Sequence, residues 1–189
     1  MKLIILDRDG SINSSQEDYV TCAEEWQAEQ GALEAIARLN QAGYTVVVAS
    51  NQAGLGRGLF DVAALNAMHA KMHKQLGAAG GRVDAIFYCP HGPEESCTCR
   101  KPQPGLFLQI GERYGVPLAG VPAAGDNLRD LQAGVAAGCE PHLLLTGRGA
   151  QQPRESLPAG TQVHDSLAAF ADYLIARDAQ AAAKTGTAA

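Results

Sequence analysis

The sequence predicts an α/β fold, a parallel sheet layered between helices in an α/β/α arrangement, and three observations carry that prediction. Short apolar runs alternate with helix-periodic segments along nearly the whole chain, the signature of repeated strand–helix–strand units. The runs are apolar throughout instead of alternating apolar and polar, as strands buried on both faces require. Each of the main runs also stops at a polar signature, and open α/β sheets take their ligands beyond the carboxyl ends of the strands.

The first strand is Leu3-Ile4-Ile5-Leu6, and an irregular stretch from Ile12 to Gln30 follows it, holding the single tryptophan, Trp26. A helix is expected from Ala32 to Ala42, with Leu33, Ile36 and Leu39 on one face and Gly43 as its stop. Tyr44 to Ala49 reads as the second strand. Gly54, Gly56 and Gly58 lie after that strand, so they are read as a loop at the rim of a site and not as a dinucleotide fingerprint, which would follow the first strand. Asp61 is placed to cap a helix running to Leu76, which the Gly77 to Gly81 segment ends. A third strand (Asp84 to Tyr88), a cysteine-rich loop and a helix from Pro104 to Tyr114 come next. Gly120 to Gly125 leads to the fourth strand end, Leu128 to Ala137 is a helix, and His142 to Leu145 is the fifth strand. A helix from Ser166 to Arg177 completes one domain over residues 1–178, and the Ala-rich tail, residues 179–189, is expected to be disordered.

A length of 189 residues suits one α/β domain, and a net charge of −5 argues against a nucleic-acid partner, whose phosphates call for a basic face. The strand at the very N-terminus leaves no signal-peptide pattern, and no apolar run reaches membrane-spanning length. A cytoplasmic monomer without membrane partners is therefore expected. His69 and His73 are one helical turn apart but lack a third ligand, and His142 and His164 belong to no recognisable group. Cys22 and Cys139 read as core or incidental thiols.

The polar strand ends carry the chemistry. Asp7 and Asp9 are two apart on a strand end, so both carboxylates can face one site, where a cation would make them tolerable together. Ser50-Asn51-Gln52 closes the second strand, Arg100-Lys101-Pro102 follows the third, and Gly125-Asp126-Asn127 closes the fourth, with Asp130 shortly beyond. In order and spacing these four motifs resemble the haloacid dehalogenase superfamily of phosphohydrolases, over Leu3 to about Leu145. The resemblance implies a Rossmann-like domain in which Asp7 attacks phosphorus and Asp9 serves as general acid and then base. It implies that Ser50, Asn51 and Lys101 bind the phosphate. Mg²⁺ would be held by Asp7, the Asp9 carbonyl and Asp126, with Asn127 and Asp130 as candidate supports. Ser11 and Asn127 depart from the pattern, standing where relatives often carry Thr and either Lys or Ser.

Cys89, His91, Cys97 and Cys99 supply three thiols and one imidazole, a donor set for tetrahedral Zn²⁺ with no open position, hence structural. Lys101 follows Cys99 by two residues, so zinc would pin the segment that carries it. This loop, with Asn51 to Gly58, resembles the branch holding heptose bisphosphate and histidinol-phosphate phosphatases. That likeness implies a small phosphorylated sugar substrate, with lipopolysaccharide synthesis as the expected destination of the product. Histidinol phosphate is the alternative substrate, and a catalytically silent zinc-binding interaction module is the reading from a different class. No long insertion separates the motifs, so no large cap domain is expected, and nearby residues must read the substrate. The available readers are Gln16, Asp18, Tyr19, Gln52 and Arg100, the last through its planar fork.

Overall fold

The computed structural model describes residues 1–15 and 19–186. Six strands, β1 (Lys2–Leu6), β2 (Tyr44–Asn51), β3 (Ala85–Cys89), β4 (Pro122–Gly125), β5 (Glu140–Leu144) and β6 (Gln162–His164), form one parallel sheet. Their order is β3-β2-β1-β4-β5-β6, so the chain reverses direction across the sheet between β1 and β4. That switch point opens a crevice beyond the carboxyl ends of the two central strands.

The continuous apolar strands are explained by two cores. Ile4, Leu6, Val46 and Val48 point to one face, where α1 (Ala32–Gln41), α3 (Val62–Ala78) and α6 (Leu167–Gly186) supply Ile36, Leu39, Leu65, Met68, Phe170 and Leu174. Leu3, Ile5, Val47 and Ala49 point to the other, against Leu106, Phe107 and Ile110 of α4 (Gly105–Tyr114) and Ala133 of α5 (Leu128–Ala136). Alternate residues of each central strand thus enter different cores, so the middle of each strand is apolar on both faces. Cys139 lies in the second core. Trp26, fully buried, anchors the irregular segment after β1 in the first.

The caps behave as their sequences suggest: the Asp61 carboxylate accepts the Ala64 N–H at 2.8 Å, and Pro104 precedes the first residue of α4. Four elements differ from expectation. β2 runs on through Ser50 and Asn51, and a four-residue helix, α2 (Ala53–Gly56), occupies the Gly-rich rim loop. β6 is a short edge strand whose sequence, Gln-Val-His, carries no apolar run. The last helix, expected to stop at Arg177 with a disordered tail beyond, continues to Gly186, because an Ala-rich segment has the highest intrinsic helix preference. Among the described residues no helix is long and apolar enough to cross a membrane.

Candidate active site

The sheet register decides which polar residues meet. Leu6 pairs with Val48 on one side and Ala124 on the other, so the next residues of all three strands emerge side by side. The Asp7 N–H donates to the Ala124 carbonyl at 2.9 Å. One residue past β4 stands Asp126, and α5 starts immediately after. Its first turn is closed by a capping box: Asn127 accepts from the Arg129 N–H at 3.3 Å, and Asp130 accepts from the Asn127 N–H at 3.0 Å. This box turns Asp130 back toward the strand end. Asp130, expected as a candidate support for Mg²⁺, is 5% exposed and lies in the cluster. Oxygens of Asp7, Asp126 and Asp130 lie within 4.8 Å of one another. Gly10 and Gly147, both at positive φ, complete the enclosure, since a Cβ on either would stand 2.2 Å from an Asp126 oxygen.

Lys101 enters this group from the opposite side. Its buried ammonium donates to Asp7 Oδ1 at 2.7 Å and the Ala49 carbonyl at 2.7 Å, and pairs with Asp130 Oδ1 at 2.8 Å. Burial works against its charge, yet Asp130 and Asp7 outweigh it and hold the ammonium above its ordinary range. The carboxylates are pushed the other way. Burial, then the Asp130 charge, raises Asp7 to about 6 against the pull of Lys101. Burial, then Asp7 and Asp130, raises Asp126 to about 8. Three carboxylates facing one ammonium leave two negative charges unbalanced when ionised, and the donors are all hard oxygens. That donor set fits a divalent cation such as Mg²⁺.

Asp9 is arranged differently. Its carboxylate accepts from Arg8 (Nε and Nη2 to Oδ1, 3.1 and 2.9 Å), Asn13 Nδ2 at 2.9 Å and Gln52 Nε2 at 2.9 Å. Burial would raise this group, but the Arg8 charge and the Asn13, Arg8 and Gln52 hydrogen bonds keep it below the usual carboxylate range. Three residues with expected roles are held by protein partners here. Gln52, expected to read the substrate, is buried and joined to Asp9 and, at 2.7 Å, to Ser50 Oγ. Ser50, expected on the phosphate, is buried, with its oxygen accepting from Gln52. Asn51, also expected on the phosphate, grips Lys101 in both directions: it accepts from the Lys101 N–H at 3.0 Å and donates to its carbonyl at 3.1 Å.

Above these groups opens a cleft of about 300 Å³, lined by Asp7, Asp9, Asn51, Lys101, Asp126 and Asn127, with Tyr19, Arg57, Arg100, Arg129 and Arg148 at its sides. Tyr19 lines the cleft as expected, with the Arg57 guanidinium 5.8 Å from its ring centre. Arg100 lines it too, braced through Nη1 to the His91 carbonyl at 3.3 Å. Gln16 and Asp18 lie outside the described residues. Sequence reasoning missed Arg8, Asn13, Arg129 and Arg148. An Arg set between two strand-end aspartates was a readable signal for Arg8, since a buried guanidinium needs a carboxylate.

The four sulfur and nitrogen ligands expected in the loop do converge. Cys89 Sγ is 3.4 Å from His91 Nδ1 and 3.8 Å from Cys97 Sγ, and Cys99 Sγ is 3.3 Å from the same Nδ1. A regular tetrahedron of thiolates around zinc has S···S edges of about 3.8 Å, so the spacing suits Zn²⁺ without rearrangement. Burial acts to raise the Cys97 thiol, but N–H groups of Arg100 and Cys99 bring it down to about 7. Cys89 belongs to β3, paired with Asn51, so the loop is rooted beside the clamp on Lys101.

Comparison with known proteins agrees with this geometry. The HAD-hydrolase-like family model matches residues 98–170. A heptose 1,7-bisphosphate 7-phosphatase of Bordetella bronchiseptica is 57% identical over 93% of this chain and 98% of that protein. The chain belongs to the haloacid dehalogenase-like phosphatases. The D-glycero-β-D-manno-heptose-1,7-bisphosphate 7-phosphatase of Pseudomonas aeruginosa is 50% identical over 92% of this chain and 97% of its own. The crystal structure of the Bordetella bronchiseptica D,D-heptose 1,7-bisphosphate phosphatase, complexed with magnesium and phosphate, superposes with a TM-score of 0.90 over 94% of this chain and 99% of that one.

Proposed function

We propose that this chain is a Mg²⁺-dependent phosphomonoesterase that removes the 7-phosphate of D-glycero-β-D-manno-heptose 1,7-bisphosphate. The observation that carries the chemistry is the Asp7 carboxylate, held by the Lys101 ammonium at 2.7 Å on the floor of an arginine-sided cleft. Asp7 Oδ attacks phosphorus in line, the bond to the sugar oxygen breaks, and Asp9, whose proton affinity rises when the anionic phosphate lies beside it, gives that oxygen its proton. Asp9 then takes a proton from the water that splits the aspartyl-phosphate. Lys101 meets the charge on the transferring phosphoryl oxygens. Asp7, the Asp9 carbonyl and Asp126, steadied by Asp130, are the residues to hold Mg²⁺, which when bound would balance the carboxylates against an anionic substrate. Cys89, His91, Cys97 and Cys99 would hold a structural Zn²⁺.

The substrate assignment rests on the names of the relatives and on the cleft sides. A bisphosphorylated sugar brings a second anion, and Arg57, Arg100, Arg129 and Arg148 offer guanidinium donors away from the reacting centre. A measurement of kcat/KM with MgCl2 over heptose 1,7-bisphosphate, histidinol phosphate and p-nitrophenyl phosphate tests both parts. The heptose ester should lead by at least about tenfold, and Asp7→Asn should abolish turnover of all three, since an amide is a very poor nucleophile. Histidinol phosphate in first place would move the substrate; an active Asp7→Asn variant would remove the mechanism; a wild type inert on every ester would favour the interaction-module reading.

A further inference from the structure

General acid catalysis needs the Asp9 carboxylate in one orientation, because a proton is handed to the leaving oxygen only from a defined direction. That orientation is governed from behind. The Arg8 side chain is wholly buried, and its Nη2 reaches both Asp9 oxygens, at 2.9 and 3.1 Å. A guanidinium is planar, so its remaining contacts fix how it meets the carboxylate. Nη1 meets His69 Nε2 at 3.1 Å, and Nη2 lies 3.5 Å from Gln52 Oε1. Arg can only donate, so His69 Nε2 is the acceptor and the ring is neutral with its hydrogen on Nδ1. Burial and the Arg8 charge, which hold His69 down to about 4, agree with that state. His69 stands on α3, 61 residues away in sequence, and touches neither Asp7 nor Asp9 among the contacts at this site.

We infer that His69 is a positioning residue for Asp9, setting the plane of the Arg8 guanidinium and through it the direction in which Asp9 presents its proton. The inference rests on the phosphatase reading above. It separates leaving groups. When the phosphorus–oxygen bond of an alkyl ester breaks, the departing oxygen takes the Asp9 proton. A p-nitrophenolate leaves as the anion and needs none. Since kcat/KM reports through that bond cleavage, a misaligned Asp9 should be felt on the alkyl ester alone.

The experiment compares kcat/KM for heptose 1,7-bisphosphate with that for p-nitrophenyl phosphate in wild type, His69→Asn and His69→Gln. Asn is too short to reach Nη1, whereas the Gln carbonyl can take the place of Nε2. His69→Asn should lose about tenfold on the sugar ester, in kcat with KM little changed, and less than about twofold on p-nitrophenyl phosphate. His69→Gln should recover most of the loss. Equal losses on both esters, an Asn variant as active as wild type, or a Gln variant as impaired as Asn overturns the inference. If His69→Asn does not accumulate, His69→Leu, similar in bulk and without an acceptor, gives the same ratio. A wild type that hydrolyses neither ester overturns the phosphatase reading together with this one, whereas an active wild type with an unselective Asn variant overturns the positioning role alone.

Discussion

Lys101 stands between two clusters built on opposite principles. On one side, Asp7, Asp126 and Asp130 are brought together by strand ends and a helix cap, and the framework forces like charges into one buried place. On the other, only Cys89 belongs to the sheet, while His91, Cys97 and Cys99 sit on a loop with little regular structure of its own. The first arrangement exists without a metal and is relieved by one. The second would use a metal to join a β3 thiol to ligands on an irregular loop. The difference teaches where a metal would do chemistry and where it would do carpentry: the preformed site holds a repulsion that a cation would release, and the loop site would gain only order.

The largest effect should come from breaking the charged side. Asp126→Asn is expected to lower Mg²⁺-dependent kcat/KM by about 10³-fold or more. It should do so while making the metal-free protein at least as stable as the wild type. The sign follows from the raised Asp126 group, which sits at about 8 in the fold. A carboxylate raised above its unfolded value stabilises at low pH and loses that contribution as pH climbs from about 4 through about 8. A neutral amide does not lose it, so the Tm advantage of the variant in EDTA should grow over that window. Added MgCl2 should raise Tm in the wild type and leave the variant unmoved. A variant destabilised in EDTA at pH 8 would mean that the cluster is not under repulsion.

The two clusters also differ in how far they could be read from sequence. Asp7, Asp9, Lys101 and Asp126 were legible because each closes an apolar strand or a loop with a ligand pattern, and strand ends are where such sheets bind. The loop ligands were legible because their types and spacing are nearly self-sufficient. What stayed hidden depends on side-chain direction at close quarters. Gln52 looked like a reader of substrate, but at the end of β2 its amide turns to Asp9 and Ser50. Asp130 was legible only as a candidate support, because its inward turn comes from the capping box. His142 and His164 had no partners in sequence, yet their ring nitrogens lie 3.0 Å apart, on neighbouring strands β5 and β6. That contact was invisible because β6, three residues with two polar side chains, offers no apolar run to detect.

A smaller loss should follow from dismantling the loop. The purified protein is expected to retain one Zn²⁺ after dialysis against EDTA conditions mild enough to strip magnesium, because thiolates hold zinc far more tightly than carboxylates hold magnesium. Cys97→Ser should reduce zinc content and lower kcat/KM by about tenfold, although Cys97 does not line the cleft. The loss should be partial, since the buried residues of both cores, Cys89 apart, lie outside the loop. Elemental analysis alongside the kinetics checks this. A zinc-free, fully active protein would remove the loop from the account of Lys101.

The smallest effect sharpens the comparison most, because it concerns the residue that ties the two sides together. Asn51, the last residue of β2, holds the backbone of Lys101 with two hydrogen bonds, while the loop ligands hold the same segment from the other end. Two neutral bonds of this kind contribute about 1 kcal/mol each, about thirtyfold together if felt in full, and the intact loop should hold the Asn51→Ala loss in kcat/KM to about three- to tenfold. With Cys97→Ser in the same chain, Lys101 would lose both restraints, and its ammonium would no longer be fixed against Asp7 and Asp130. The double variant should then lose more than the product of the two single losses, the mark of residues acting on one shared element. Multiplicative losses would mean that Asn51 and the loop act separately. In that case Lys101 would be placed mainly by its own buried contacts with Asp7, Ala49 and Asp130, and the preformed side of the site would need no help from the loop.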